Sequence, residues 1–137
     1  MKSLSYSLAQ QFGESWIFMV VKPGFIDLTS DIIHMFEEKG WNLSRIRTKQ
    51  LTLREAHRLY IVHKGEDFYE KLCRYMASDL SVAMILKKPG RVNKDMFEET
   101  GKIKDKIRKK WGKDDMRNVL HSSDSLSAME NEAQIYF

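Results

Sequence analysis

The chain has little cysteine and no long apolar run. Its single cysteine, Cys73, excludes an internal disulfide and fits a reducing compartment. No apolar run approaches the roughly 20 residues that a membrane-spanning helix needs, and residues 1–14 lack the continuous apolar stretch of a secretory signal. We therefore expect a cytoplasmic protein without a membrane partner, in which residues 1–14 lead into the first strand.

Internal repeats and low-complexity tracts are also absent, so repeat architectures are not expected. A chain of 137 residues with 42% hydrophobic content is long enough to bury one core and too short to divide comfortably into two domains. We predict a single domain over residues 1–137.

Charge is modest in sum but uneven along the chain. The formal net charge is +4, and the one acidic residue between Lys102 and Lys113 is Asp105. The same span contains seven cations, Lys102, Lys104, Lys106, Arg108, Lys109, Lys110 and Lys113. Such a segment attracts polyanions, although it could also be a solvated basic face. Nucleic acid ranks last among the possible ligands, because the segment lacks the interleaved aromatic residues of a single-strand binding platform.

Apolar periodicity predicts alternating strands and helices. Strands are predicted over residues 16–21, 41–51 and 81–86, and helices from about residue 29, over residues 53–63 and 67–77, up to Thr100, and from Ser125. This alternation predicts a mixed α/β fold, an α+β sandwich in which helices pack on one sheet that includes antiparallel pairs.

His121 is the most promising candidate for chemistry. It follows the apolar pair Val119 and Leu120 and precedes a polar turn that leads into the last predicted helix. Histidine is substantially neutral at physiological pH, so one ring nitrogen could attack phosphorus or act as a base. Glu132, on the following helix, could hold the other nitrogen. The alternative is a structural, hydrogen-bonded histidine, and no polar constellation favours His34, His57 or His63.

Several motifs bear a family resemblance in the correct order. The segment Asn-Val-Leu-His-Ser-Ser-Asp-Ser at residues 118–125 resembles the active-site signature of nucleoside diphosphate kinases. The Lys22-Pro23 pair, the aromatic residues Tyr60 and Phe68, the run Val-Ala-Met at residues 82–84 and the pair Ile107-Arg108 resemble further family motifs. The resemblance extends from about Trp16 to Phe137.

The resemblance implies a ferredoxin-like antiparallel sheet covered by helices. It also implies transfer of a γ-phosphoryl group from ATP or another nucleoside triphosphate to a nucleoside diphosphate through a phosphohistidine on His121. Mg²⁺ would be bound mainly through the nucleotide phosphates, with no metal-binding residues of the protein. We also expect a homo-oligomer on this basis.

Site residues follow from the same resemblance. The catalytic set is His121, Tyr60, Glu132 and Ser123, in which Tyr60 and Glu132 orient the histidine and Ser123 supports Glu132. The nucleotide-binding set is Lys22, Phe68, Thr100, Arg108 and Asn118. Within it, Lys22 and Asn118 would bind ribose hydroxyls, Phe68 would stack on the base, and Arg108 and Thr100 would bind phosphate.

The sequence departs from the family pattern at two loops. Gly24 and Phe25 follow Lys22-Pro23, with a short connection to the next helix, and the segment between Gly101 and Ile107 is shortened. No counterpart is found for the family's second phosphate-binding arginine, so Lys102, Lys104 or Lys106 could replace its charge. The alternative function is a nucleotide-binding regulatory module of the same fold with weak or no turnover.

Overall fold

A computed structural model describes residues 14–90 and 94–137. The strands in this part of the chain are β1 (Glu14–Val21), β2 (Asn42–Lys49), β3 (Ser81–Pro89) and β4 (Leu120–Ser122). The helices are α1 (Thr29–Glu37), α2 (Leu53–Leu59), α3 (Tyr69–Ala77), α4 (Lys94–Trp111) and α5 (Leu126–Tyr136), with short 3₁₀ turns at Ile26–Leu28 and Ile61–His63. The predicted leader lies almost wholly outside the described residues, because residue 14 already belongs to β1.

The strands form one antiparallel sheet in the order β2-β3-β1-β4. Strand β1 lies between β3 and β4, so Val20 pairs with Ala83 on one side and with His121 on the other. A β-bulge interrupts the pairing of β2 with β3 between Leu43 and Arg45. The topology confirms the predicted sheet with antiparallel pairs and places His121 beside the central strand.

The two inner strands form the centre of the core. All residues from Trp16 to Val21 in β1 and from Ser81 to Leu86 in β3 are buried. Successive side chains of a strand point to opposite faces of a sheet, so burial of consecutive residues means that both faces of these strands are covered. This explains why both segments are continuous apolar runs rather than alternating ones.

Helix α4 is longer than predicted. The sequence predicts a helix that ends near Thr100 and a shortened loop up to Ile107, but one helix runs from Lys94 to Trp111. Glycine in a helix interior costs about 1 kcal/mol relative to alanine, and Gly101 does not end this helix. The reason is a buried stripe at helical spacing, formed by Met96, Thr100, Ile103 and Ile107, that packs against the core on both sides of Gly101.

Helix α2 is shorter than predicted. The sequence predicts one helix over residues 53–63, but the α-helix ends at Leu59, and Tyr60 leaves the helical conformation before the 3₁₀ turn Ile61–His63. The β-branched residues Ile61 and Val62 disfavour continuation of the helix. The break lets the ring of Tyr60 pack toward the sheet, where it is buried. No described helix is both long enough and apolar enough to cross a membrane.

Truncation of Ile107 should test the packing of the second half of α4. Ile107 is fully buried, so Ile107→Ala should lower the free energy of unfolding by about 2 to 5 kcal/mol in denaturant titrations. Lys109→Ala is the matched control, because Lys109 is exposed on the same helix and its loss should change stability by less than about 0.5 kcal/mol. Equally small effects of the two substitutions would contradict the packing described for this helix.

Candidate active site

The ends of β1 and β4 bring Lys22 next to the polar corner that contains His121. The backbone N–H of Lys22 donates to the carbonyl oxygen of Val119 over 2.8 Å, just beyond the last residues of β1. A tight turn follows, in which the N–H of Phe25 donates to the Lys22 carbonyl oxygen over 3.1 Å. Gly24 has a φ of +88° in this turn, a conformation that glycine adopts without a steric penalty.

Val119 is a backbone outlier at the start of β4. Its φ is +78°, which is rare for a β-branched residue, and the N–H of Leu120 donates across it to the carbonyl oxygen of Asn118 over 2.9 Å. Strained residues of this kind persist only when their surroundings hold them, and they concentrate at functional sites. Here Val119 is fully buried, and the sharp turn allows both Asn118 and His121 to line the same cleft.

His121 is held by a carboxylate. Nε2 of His121 forms a short hydrogen bond with Oε1 of Glu132, and Oγ of Ser123 donates to the same oxygen over 3.1 Å. The side chains of His121 and Glu132 are only 17% and 13% exposed. Ser125 caps the helix that carries Glu132, because its Oγ accepts from the N–H of Ala128 over 3.1 Å. This arrangement fixes the ring and leaves Nδ1 without a partner among the described residues.

A cleft of about 560 Å³ opens over this histidine. Eight of the nine site residues that the sequence indicates line it, although they come from well-separated parts of the chain: Lys22, Tyr60, Phe68, Arg108, Asn118, His121, Ser123 and Glu132. The structure therefore brings these eight residues together in one cleft, which is the geometry that a shared ligand requires.

Three cations face this cleft. Nζ of Lys22 donates to Oδ1 of Asn118 over 2.8 Å and to the carbonyl oxygen of Met116 over 3.2 Å, and Nη2 of Arg108 donates to the carbonyl oxygen of Leu120 over 2.8 Å. The third cation is Lys104. Burial, reinforced by the charges of Arg108 and Lys104, lowers the pKa of Lys22 from 10.5 to about 7.

Two buried polar atoms of cleft-lining residues have no hydrogen-bond partner among the described residues. They are the hydroxyl of Tyr60 and Nε of Arg108, and both are buried. The Tyr60 ring lies edge-on to His121 at 5.1 Å between centroids. A buried polar group without a hydrogen bond is costly, so an unfilled bonding capacity here points to a ligand or ordered water with polar atoms.

The mouth of the cleft has an apolar wall. Phe68 is 42% exposed, and its ring lies 5.3 Å from that of His63 between centroids. Val62, also part of the wall, is exposed as well. An exposed aromatic ring at the rim of a cleft offers a flat surface on which a planar group can stack.

Thr100 is the predicted site residue that the structure places elsewhere. It is buried in α4, and its hydroxyl donates to the carbonyl oxygens of Met96 over 3.0 Å and Phe97 over 3.3 Å. Its hydroxyl is satisfied within the helix and it does not line the cleft, so the structure does not bring Thr100 together with the other predicted site residues. The sequence predicts a loop just after Thr100, whereas α4 continues to Trp111. Phosphate binding by Thr100 stays a prediction.

His63 and Lys104 line the cleft but do not belong to the site set predicted from the sequence. The sequence predicts His63 at the exposed end of a helix, whereas the structure places it in a 3₁₀ turn that lines the cleft. In a loop between Gly101 and Ile107, nothing distinguishes Lys104 from Lys102 and Lys106 as a phosphate-binding residue. Its spacing of four residues from Arg108 is the signal that would have singled it out once the segment is treated as a helix.

The described residues include no group of three or more histidine, cysteine, aspartate or glutamate side chains that could hold a metal ion. Three carboxylates line the cleft, those of Asp115, Asp124 and Glu132, and the last of these is bound to His121.

Comparison with known proteins agrees with the motifs and the geometry. The profile of the nucleoside diphosphate kinase family matches residues 16–137. A nucleoside diphosphate kinase from Hyperthermus butylicus is 35% identical over 127 residues, which cover 88% of this chain and 89% of the relative. One from Kosmotoga olearia is 32% identical over 127 residues, covering 88% of this chain and 86% of the relative. The chain therefore belongs to the nucleoside diphosphate kinase family, a family of phosphotransferase enzymes.

A solved structure supports the fold independently. The crystal structure of the Aquifex aeolicus nucleoside diphosphate kinase matches with a TM-score of 0.78 and 22% sequence identity, over 90% of this chain and 95% of that one. The match confirms the predicted ferredoxin-like antiparallel sheet covered by helices.

Lys22 should make stability depend on pH near neutrality. Its pKa is about 7 in the folded chain against 10.5 for a free lysine, so the unfolded chain binds a proton between these values that the folded chain does not. The free energy of unfolding should therefore rise with pH, by up to about 2.5 kcal/mol between pH 7 and 9. Denaturant titrations at pH 7, 8 and 9 measure this slope.

Lys22→Met should lack the increase in the free energy of unfolding that Lys22 contributes between pH 7 and 9. Lys109→Met, at an exposed position, should keep it. An unchanged slope in Lys22→Met would show that Lys22 keeps its proton in the folded chain throughout this range.

Proposed function

We propose that this protein is a nucleoside diphosphate kinase, which transfers the γ-phosphoryl group of a nucleoside triphosphate to a nucleoside diphosphate through a phosphohistidine on His121. The observation that carries the proposal is the bond between Nε2 of His121 and Glu132, because His121 lines a cation-lined cleft and its Nδ1 has no partner among the described residues. A neutral imidazole that donates N–H from one nitrogen has its lone pair on the other. Nδ1 is therefore the nucleophile.

In the first half-reaction, Nδ1 of His121 attacks the γ-phosphorus of the nucleoside triphosphate. The N–P bond forms as the P–O bond to the β-phosphate breaks, and the electron pair leaves with the β-phosphate oxygen of the diphosphate product. Glu132 accepts the hydrogen bond from Nε2 and stabilises the positive charge that develops on the ring. Ser123 holds Glu132 in place.

In the second half-reaction, a β-phosphate oxygen of an acceptor nucleoside diphosphate attacks the phosphorus of the phosphohistidine. The N–P bond breaks, and its electron pair returns to Nδ1. Phosphoryl transfer asks the protein chiefly for positioning and for neutralisation of charge. Arg108 supplies a guanidinium anchored beside β4, and the hydroxyl of Tyr60 next to His121 has capacity for a further hydrogen bond to the transferring group.

The remaining site residues bind the nucleoside. Phe68 stacks on the base at the rim, and Lys22 and Asn118, which are already hydrogen-bonded to each other, bind the ribose hydroxyls. Mg²⁺ enters on the phosphates as part of the substrate. A cytoplasmic location remains a prediction from the composition of the sequence, and a homo-oligomer remains a prediction from the family resemblance.

Phosphoenzyme formation tests the proposal. Incubation of the wild-type protein with γ-labelled ATP should give an acid-labile, base-stable label, because a phosphoramidate bond is hydrolysed in acid. His121→Ala should abolish the label and retain nucleotide binding. His63→Ala is the matched control, since His63 lines the same cleft and should leave the label in place.

Two results would contradict the proposal in different ways. A label that persists in His121→Ala would show that another side chain is the nucleophile. Nucleotide binding by the wild-type protein without any label would favour the alternative, a regulatory module of the same fold that binds nucleotides without turnover.

A further inference from the structure

The basic segment of α4 divides into two faces. Lys104 lies four residues before Arg108, and both line the cleft. Side chains at this spacing are neighbours on one face of a helix. Lys102 and Lys106 are exposed and do not line the cleft. Of the three lysines that could supply charge to a phosphate, the helix therefore directs one to the site.

Lys104 is a partly buried cation that the described part of the chain leaves without an ion pair or a hydrogen bond. Burial, followed by the charge of Arg108, lowers its pKa, and Asp105 and Asp124 oppose this shift only in part. Surface lysines usually keep their ammonium group in water. The position of Lys104 is thus unfavourable for the unliganded protein, and no internal contact explains it.

The positive charge of Lys104 is disfavoured further because the cleft contains two more cations, Lys22 and Arg108. Arg108 and Lys104 each disfavour the charged form of Lys22, and like charges four residues apart destabilise a helix. An anion with several charges would convert this mutual repulsion into attraction. A chain of phosphates satisfies this requirement, and a single carboxylate does not.

We propose that Lys104 is a substrate-binding residue that contacts the phosphate chain of the nucleotide and forms, with Arg108, a pair of cations presented by one face of α4. The proposal rests on the proposed function for the identity of the ligand, and it does not require phosphoryl transfer. Arg108 is anchored to β4 by its bond to Leu120, whereas Lys104 is free to follow the phosphates. Lys104 therefore contributes affinity that grows with the number of phosphates.

Nucleotide binding measures this role without turnover. Dissociation constants for Mg-ATP, Mg-ADP and adenosine are determined by calorimetry in a His121→Ala background, with and without Lys104→Gln. We expect about tenfold weaker binding of ATP, as for the loss of one charge-assisted hydrogen bond, a smaller loss for ADP and no change for adenosine. Lys104→Arg, which keeps the charge, should recover most of the ATP affinity.

Lys102→Gln and Lys106→Gln are the matched controls, because each removes the same charge from an exposed position of the same helix. Each should weaken ATP binding less than about twofold, as expected for a screened distant charge. The proposal is overturned if Lys104→Gln behaves like these controls, if adenosine binding falls as much as ATP binding, or if the parent protein does not bind ATP.

Thermal stability gives a second readout that a purely structural lysine would not produce. Since Lys104 has unfavourable interactions in the unliganded cleft, Lys104→Gln should unfold at the same temperature as its parent or higher, while ATP should raise its Tm less. A lower Tm without ligand together with an unchanged ATP response would assign Lys104 to the fold. Absence of phosphoenzyme in wild type, with weaker ATP binding in Lys104→Gln, would refute the proposed function and leave this proposal standing.

Discussion

The hydrogen bond between His121 and Glu132 connects the last strand to the last helix and leaves Nδ1 of His121 without a partner among the described residues. It depends on two structural supports. Pairing of His121 with Val20 fixes the histidine beside the central strand, and the Ser125 cap fixes the start of the helix that carries Glu132. Ser123 donates to the same carboxylate oxygen. Because both partners are largely buried, loss of either would leave an unsatisfied polar group inside the protein.

Several features of the cleft that suit it to ligand binding also destabilise the folded chain. Lys22, Lys104 and Arg108 repel one another, and the buried hydroxyl of Tyr60 has no partner among the described residues. Val119 adds backbone strain beside them. Burial of both faces of β1 and β3 contributes stability that offsets these unfavourable contributions to the free energy of folding. A ligand with several negative charges and polar atoms would relieve the charge repulsion and supply a partner for the Tyr60 hydroxyl.

Much of the sheet and most of the site were predictable from the sequence, for different reasons. Short, continuous apolar runs predicted β1 and β3, and the motif around His121 identified residues that only the fold brings together. Local propensity failed where tertiary packing decides. The sequence predicts that this helix ends near Thr100, but packing of buried Ile103 and Ile107 continues it past Gly101. Thr100 therefore lies inside a helix, and Lys104 lies one turn before Arg108. The strained conformation of Val119 has no local sequence signal.

The central claim is that Glu132 occupies Nε2 of His121 and leaves Nδ1 to form the bond to phosphorus. The two isomers of phosphohistidine differ in ³¹P chemical shift and in their rates of hydrolysis. The most direct measurement is therefore ³¹P NMR of the wild-type protein after reaction with ATP, with synthetic phosphohistidine isomers as standards. The structure predicts a single resonance that matches the Nδ1 isomer. A resonance of the Nε2 isomer, or phosphate on any other side chain, would contradict the account.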